Sequence, residues 1–209
     1  MEEIKKIIIE NKKWILLVIS FVLFIAIVED LFENEIYLFD NQIYFYISKL
    51  ISDSFTIVFK IITNIGSAPV VIGLCVLAYL IFENKNYGKY MTINLVFIFL
   101  LNQLLKNLFD RPRPQSFRIV EASGYSFPSG HSMVSMAFYG FIIYLIYKNV
   151  KNQYLKWGLC IGLSLLILLI GVSRIYLGVH YASDVAAGFC LSMSYLVLYT
   201  NLIGKKVKN

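Results

Sequence analysis

Six apolar stretches dominate this sequence, and each approaches the length that a helix needs to cross a lipid bilayer. They cover about residues 13–31, 67–83, 90–108, 130–148, 155–173 and 181–203. A spanning helix takes roughly 20 predominantly apolar residues. No glycine-rich linker, charge block or internal repeat divides the chain. The pattern predicts an all-α, polytopic membrane protein with one domain over residues 1–209, built as a bundle of six transmembrane helices.

The composition excludes an ordinary soluble domain. Hydrophobic residues make up 58% of the chain and charged residues only 15%, and the mean hydropathy is +0.69. A net charge of +6 suggests nucleic acid when the basic residues line one face of a soluble fold, but this chain has no such stripe. We therefore predict no nucleic-acid partner. The first apolar stretch lacks a small-residue cleavage pattern, so we expect it to be a retained anchor.

Lysines concentrate at the termini and in alternate connections between the predicted helices. On this side lie Lys5, Lys6, Lys12, Lys13, Lys85, Lys89, Lys148, Lys151, Lys156, Lys205, Lys206 and Lys208. Cytoplasmic loops of membrane proteins carry an excess of Lys and Arg. We therefore predict a multi-pass protein of the cell membrane with both termini in the cytoplasm. The other connections would then face the extracytoplasmic side.

Residues 32–66, between the first two predicted spans, form a mixed polar and aromatic segment. Apolar residues recur there at spacings of three and four, interrupted by Lys49, Asp53 and Lys60. This periodicity predicts a pair of amphipathic helices that lie in the extracytoplasmic interface.

Three polar clusters converge on the extracytoplasmic ends of the predicted helices. Lys106 and Arg113 flank the point where prolines stop the third span, and Arg174 lies at the end of the fifth. Guanidinium and ammonium groups bind phosphate oxygens. Ser129 and Gly130 begin the fourth span, where helix amides bind anions. Together these residues predict a phosphate pocket.

The two histidines of the chain, His131 and His180, both lie beside this predicted pocket. His180 and Asp184 are four residues apart, a spacing that places them on one helical face if the sixth span begins early enough. A carboxylate that binds one imidazole nitrogen leaves the other nitrogen available for attack. The pairing favours His180 as a nucleophile, but the residues alone leave open which histidine attacks and which acts as an acid.

Three sequence signatures together resemble those of the type 2 phosphatidic acid phosphatase family, integral membrane lipid phosphatases related to the vanadium haloperoxidases. The signatures KxxxxxxRP, PSGH and SRxxxxxHxxxD appear in order and complete, as KNLFDRPRP (106–114), PSGH (128–131) and SRIYLGVHYASD (173–184). The layout of six helices also resembles that of the family. The haloperoxidases share the phosphate pocket but are soluble proteins.

The resemblance implies a role for each matching residue. His180 corresponds to the nucleophile, Asp184 to the carboxylate that orients it, and His131 to the general acid. The groups that correspond to the phosphate-binding residues are Lys106, Arg113, Ser129, Gly130 and Arg174. The resemblance implies no metal and no other cofactor, because these cations and amides already stabilise the charge of the transferred phosphoryl group.

The resemblance implies a phosphatase for lipid phosphates or diphosphates, with a phosphohistidine intermediate. Undecaprenyl diphosphate, phosphatidylglycerol phosphate and phosphatidic acid are the substrates to consider, and the signatures do not rank them. A phosphotransferase that passes the phosphate to another lipid is an alternative. A second alternative is a membrane protein that binds lipid without catalysis, although such a protein would be expected to have lost a signature residue.

Overall fold

The computed structural model describes residues 2–33, 35–115, 118–204 and 206–207, with side chains from residue 10 onward. These residues form eight α-helices and no β-strand, which confirms the all-α prediction for the described part of the chain. The helices are α1 (Glu2–Glu33), α2 (Ile36–Ser48), α3 (Asp53–Ile65), α4 (Ala68–Ile81), α5 (Asn86–Phe109), α6 (Gly130–Asn149), α7 (Gln153–Tyr176) and α8 (Ala182–Ile203).

Local sequence determines where the helices around the signatures begin and end. Asp110 adopts the left-handed conformation, with φ of 50°, and ends α5; aspartate tolerates this conformation better than most residues. Pro112 then prevents the helix from resuming. Ser129 caps α6, because its side chain accepts a hydrogen bond from the backbone N–H of Ser132. Asn152 caps α7 in the same way.

Helix α6 lies at the centre of the bundle and packs against α5, α7 and α8. Its residues Met133, Ala137, Phe138 and Phe141 are fully buried. Helix α1 packs along α8, where the hydroxyl groups of Ser20 and Ser194 lie 2.7 Å apart. The bundle therefore buries side chains on several sides of α6, whereas the outer helices expose apolar faces that suit contact with lipid.

Within the described part of the chain, five helices, α1 and α5 to α8, are long and apolar enough to cross a membrane. The second predicted span, residues 67–83, is a 14-residue helix in the structure. At 1.5 Å per residue α4 is about 21 Å long, shorter than a hydrocarbon core of roughly 30 Å. It passes as a span only together with α3, from which it is bent by 46°. The described residues thus contain a sixth candidate span only if this bent pair counts as one, and the predicted interfacial segment is divided between α2 and α3.

The α3–α4 junction at Gly66 and Ser67 packs tightly against α7. A Cβ atom on Gly66 would lie 2.7 Å from Cγ2 of Ile170, so a side chain does not fit there unless the Ile170 side chain shifts. The hydroxyl of Ser67 donates to the side-chain oxygen of Asn64 and not to an amide of α4. This junction brings the end of α3 beside the first turn of α6.

The lysine-rich connections lie together at one end of the bundle. Lys13 of α1 donates to Asn201 of α8, and Asn84, before α5, donates to the carbonyl of Val207. The side chains of Lys5 and Lys6, and residues Lys205 and Lys208, lie outside the described residues. The three signatures occupy the opposite end. The assignment of the lysine-rich end to the cytoplasm stays a prediction.

Candidate active site

A cavity of about 820 Å³ lies at the signature end of the bundle. The charged and imidazole groups in its wall are those of Lys106, Arg113, His131, Arg174 and His180. The cavity continues between α4 and α5, where its walls are apolar. That part is lined by Val71, Ile72, Leu95, Val96, Phe99 and Leu100. Several of these side chains are also exposed on the outer surface, so the apolar part reaches the face that contacts lipid.

Arg113 connects the loop before α6 to the α7–α8 turn. Its Nε and Nη2 donate to the backbone carbonyls of Ser123 and Gly124, and its Nη1 donates to the carbonyl of Val179 at 2.8 Å. The same Nη1 lies 3.1 Å from Nε2 of His180. The guanidinium is therefore held in place by three carbonyl groups while it faces the histidine.

Arg174 and Lys106 add two more cationic groups to the cavity wall. Arg174 is 8% exposed, its Nη1 donates to the hydroxyl of Thr63 at 2.7 Å, and its buried Nε has no hydrogen-bond partner among the described residues. Lys106 donates to the carbonyl of Tyr125. A buried guanidinium N–H without a partner usually marks the place of a ligand or a water molecule.

His180 lies in the α7–α8 turn and is hydrogen-bonded through both ring nitrogens. Its Nδ1 lies 3.2 Å from Oδ2 of Asp184, and its Nε2 faces Arg113. Asp184 is fully buried and also caps α8, because its Oδ2 accepts from the backbone N–H of Tyr181 at 2.9 Å. Helix α8 begins at Ala182, so His180 precedes the helix. The pair meets through this cap and not on one helical face.

The surroundings of His180 favour one neutral form of its imidazole. Arg113 can only donate, so Nε2 accepts and carries the lone pair, while Nδ1 carries the proton that it donates to Asp184. Burial lowers the pKa of His180 well below its usual value of 6.5, and the positive charges of Arg113, Arg174 and Lys106 lower it further. At neutral pH the Nε2 lone pair is therefore available.

A second arginine of the same loop, Arg111, binds the far side of Asp184. Its Nη1 donates to Oδ1 of Asp184 at 2.7 Å, and its Nη2 donates to Oδ2 of Asp40 at 2.7 Å. Burial opposes the charge of this guanidinium, but the two carboxylates outweigh that effect and raise the pKa of Arg111. Ser183 completes the cluster, because its N–H and its hydroxyl both donate to Asp40.

The first turn of α6 forms the opposite wall of the cavity. No hydrogen bond within the described residues uses the backbone N–H of Gly130 or His131. A Cβ atom on Gly130 would lie 2.9 Å from Oδ1 of Asn102, so only glycine fits beside α5 without a shift. The ring of His131 likewise has no hydrogen-bond partner in the described part of the chain. These two amides form a helix N-terminus that is open to an anion.

The family model for the PAP2 superfamily matches residues 86–208 of this chain. The chain belongs to the PAP2 superfamily. This finding confirms the membership that the three signatures indicate. The matched region contains all three signatures and helices α5 to α8, whereas α1 to α4 lie outside it.

The relatives of this PAP2 chain are lipid phosphatases. Phosphatidylglycerophosphatase B of Bacillus subtilis is 35% identical over 137 residues, which are 63% of this chain and 67% of that protein. Lipid A 1-phosphatase of Rhizobium johnstonii is 30% identical over 121 residues, 53% of this chain but only 46% of that protein. The crystal structure of a transmembrane PAP2-type phosphatidylglycerolphosphate phosphatase from Bacillus subtilis superposes with a TM-score of 0.83 at 28% identity. That match covers 90% of this chain and 96% of the other.

The structure brings the eight predicted site residues of this PAP2 chain to one end of the bundle but not all into the cavity wall. Ser129 and Asp184 are fully buried behind that wall. The hydroxyl of Ser129 is engaged in the α6 cap, and its N–H donates to the carbonyl of Asp184. Ser129 therefore connects the first turns of α6 and α8 in this structure.

Sequence reasoning missed three residues that adjoin the site, Asp40, Arg111 and Ser183. Arg111 was visible as one of the basic residues on the side with few lysines. Asp40 had a weaker signal, a single carboxylate in the apolar stretch IYLFDNQIYFYI of α2. An ionisable group in such a stretch is costly unless it has a partner.

Proposed function

We propose that this protein is a metal-independent phosphatase of membrane lipid phosphates, and that its reaction passes through a phosphohistidine on Nε2 of His180. The observation that carries the proposal is the arrangement of this nitrogen. Its lone pair faces the cavity wall that contains Arg113, while Nδ1 on the other side of the ring is held by Asp184. A neutral imidazole held in this tautomer is an activated nucleophile.

The cations of the cavity match the charge of a phosphate ester. Arg113 and Arg174 offer guanidinium N–H groups, Lys106 adds an ammonium, and the open amides of α6 add two donors. Donors fixed before the reaction stabilise the charge that develops on the equatorial oxygens in the transition state. We propose that these groups supply the electrostatic stabilisation that a metal ion supplies in other phosphatases.

In the first step, Nε2 of His180 attacks phosphorus as the bond from phosphorus to the lipid oxygen breaks. The imidazole becomes positively charged, and Asp184 stabilises that charge through Nδ1–H. His131, on the opposite wall, acts in its protonated form: it donates that proton to the leaving lipid oxygen and becomes neutral. The product of this step is the free lipid alcohol, or the lipid monophosphate when the substrate is a diphosphate.

In the second step, the neutral His131 takes a proton from a water molecule, and the resulting oxygen attacks phosphorus. The bond from phosphorus to Nε2 breaks, which restores His180 and releases inorganic phosphate. One residue can serve as acid and then as base because the first step leaves it without its proton.

The shape of the cavity supports a lipid substrate. Its charged end takes the phosphate, and its apolar part between α4 and α5 suits a hydrocarbon chain that enters from the bilayer. Among lipid phosphates we propose phosphatidylglycerol phosphate as the first substrate to test. The Bacillus subtilis relative is named for this activity, and the Bacillus subtilis structure superposes over nearly the whole chain.

The test is phosphate release by the purified protein in detergent with EDTA present. Phosphatidylglycerol phosphate, undecaprenyl diphosphate and phosphatidic acid are compared, with the His180→Ala variant as the control. We expect release from phosphatidylglycerol phosphate that vanishes in the variant. EDTA-sensitive release would disprove the metal-independent mechanism, and product that forms only when a second lipid is added would identify a phosphotransferase. No turnover of any of the three would contradict the proposed activity.

We also propose that the active site faces the extracytoplasmic side and that both termini face the cytoplasm. The lysines at the opposite end of the bundle support this orientation. Gln115 and Gln153 lie at the two ends and are both exposed, so each can be replaced by cysteine in a variant whose three native cysteines are alanine. A membrane-impermeant maleimide added to intact cells should label Gln115→Cys and not Gln153→Cys. The opposite labelling would reverse the orientation.

A further inference from the structure

Helix α2 contributes a buried charge to the site although it lies outside the region that the family model matches. Asp40 is 3% exposed, and its carboxylate accepts from Arg111 and from both the N–H and the hydroxyl of Ser183. A carboxylate is costly to bury unless it is paired and hydrogen-bonded, and Asp40 has such partners. Helix α2 is thereby fixed to the loop before α6 and to the first turn of α8.

The bonds of Asp40 continue without a break to Nδ1 of His180, across the ring from the reacting Nε2. Asp40 binds Nη2 of Arg111, Nη1 of Arg111 binds Oδ1 of Asp184, and Oδ2 of Asp184 binds Nδ1 of His180. The distances are 2.7, 2.7 and 3.2 Å. The guanidinium also lies over the ring of Tyr181, with its carbon 4.0 Å from the ring centre. The planar fork of Arg111 therefore determines where Oδ1 of Asp184 can lie.

The balance of charge among Asp40, Arg111 and Asp184 matters as much as their geometry. If Arg111 had Asp184 as its sole carboxylate partner, its full charge would oppose the attraction between Asp184 and a positively charged imidazole. Asp40 balances part of that charge from the other side of the guanidinium. The negative charge of Asp184 is then less compensated by Arg111 and more effective in stabilising the imidazole when its Nε2 bonds to phosphorus.

We propose that Asp40 and Arg111 are positioning residues of the reaction, which act on His180 through Asp184 and contact no substrate. The proposal rests on the proposed function, because it concerns the nucleophile of that same site. It implies that α2 is part of the catalytic apparatus and not only an anchor at the membrane interface. Ser183, which donates to Asp40 and accepts from Arg111, sets the distance between them.

The decisive variant is Asp40→Asn, which keeps the size of the side chain and removes its charge. We expect kcat to fall about tenfold or more, as is typical when a partner of a reacting group is lost, and KM to stay within about twofold. Ser183→Ala is the milder variant, and we expect it to lower kcat about threefold with an unchanged KM. Both are measured on phosphatidylglycerol phosphate in detergent.

The matched control is Ser20→Ala, which removes another buried hydrogen bond, between α1 and α8. It should change neither kcat nor KM. The second readout is the 15N signal of the His180 ring, which is simple to assign because the chain has two histidines. Asp40→Asn should shift the Nδ1 signal of His180, and Ser20→Ala should leave it unchanged.

The outcomes separate this proposal from the proposed function. If the wild-type protein releases phosphate and Asp40→Asn keeps kcat within about twofold, the positioning role is wrong. If Asp40→Asn does not fold, Ser183→Ala decides, and an unchanged kcat there overturns the proposal. If the wild-type protein is inactive, the proposed function fails, and the Nδ1 signal alone tests the link from Asp40 to His180. An Nδ1 signal that is the same in Asp40→Asn and wild type then overturns it.

Discussion

The two histidines of this protein face the same cavity from opposite walls, and their surroundings differ sharply. His180 is 3% exposed and bound through both ring nitrogens, to Asp184 on one side and Arg113 on the other. His131 is partly exposed, and its ring has no hydrogen-bond partner in the described part of the chain. One imidazole is held in a single tautomer, and the other is open to the cavity.

This difference fits two different tasks in one reaction. A nucleophile gains from a fixed ring, because the attacking nitrogen must stay in line with phosphorus. A group that gives a proton to one molecule and takes a proton from another needs a nitrogen without a fixed partner. We propose the roles of nucleophile for His180 and of acid and base for His131 on this physical ground as well as on the signatures.

Replacement of His180 by asparagine should have the largest effect of any single change. The amide nitrogen of His180→Asn takes the place of Nδ1 and can still donate to Asp184, but nothing replaces Nε2. We expect kcat to fall by about 10⁴-fold or more, as when the nucleophile of other enzymes is removed, and no phosphoenzyme to form. Acid-quench trapping with labelled substrate measures the phosphoenzyme. Substantial turnover by this variant would show that another group attacks phosphorus.

Replacement of His131 by asparagine should separate the two steps. With a lipid alcohol as leaving group, the loss of the acid should lower the rate of phosphoenzyme formation by about 10²-fold to 10⁴-fold. An aryl phosphate leaves without a proton, so His131→Asn should form the phosphoenzyme from p-nitrophenyl phosphate and then hydrolyse it slowly. A burst of nitrophenol followed by a slow steady state is the expected trace. If the burst is absent although the wild type turns over p-nitrophenyl phosphate, His131 is needed for the attack on phosphorus and its role is not proton transfer to the leaving group.

The position of a site residue could be predicted from the sequence where that residue lies at the end of a helix, because local sequence signals mark helix ends. Lys106 lies in the last turn of α5 and His131 in the first turn of α6, next to prolines and a cap that fix where those helices stop and start. Antiparallel packing then brings such ends together. Asp40 could not be placed in this way, because it lies within α2 and nothing in the local pattern shows which way its side chain points.

The fold was predictable to a similar extent. The long apolar helices follow from composition alone, but the bend between α3 and α4 depends on contact with another helix. Gly66 packs against Ile170, more than 100 positions later in the chain. The sequence pattern within residues 60–80 therefore cannot predict that contact. The sequence therefore predicts a complete span over residues 67–83, whereas in the structure α4 reaches that length only together with α3.

Replacement of Arg174 by lysine should lower activity through the loss of a phosphate donor, with a smaller effect than the loss of either histidine. The charge of Arg174 acts on both imidazoles, and its carbonyl accepts from the backbone N–H groups of Val179 and His180. Lysine keeps the charge and the backbone but loses the planar fork. We expect kcat/KM to fall about 10²-fold, a common cost for one lost donor to a transition state. Activity close to that of the wild type would mean that Arg174 does not contact the phosphate.

The smallest expected effect is the change in the free energy of unfolding with pH that is caused by His180. An unfolded chain protonates this residue near pH 6.5. Burial, with the charges of Arg113, Arg174 and Lys106, lowers the pKa of His180 well below that value in the folded protein. Asp184 is the carboxylate that faces it. Between the two pKa values the unfolded state binds more protons, so the free energy of unfolding falls with decreasing pH, by at most about 1.4 kcal/mol per pH unit.

His180→Asn removes this contribution and keeps every other titrating group, so it is the matched control. Between pH 6.5 and pH 5.5 the Tm of the detergent-solubilised wild type should fall more steeply than that of the variant. The remaining slope of the variant reports the other groups, including His131. Equal slopes for the two proteins would mean that His180 takes up its proton in the folded state as readily as in the unfolded chain. The assignment of a buried, neutral imidazole to His180 would then be wrong.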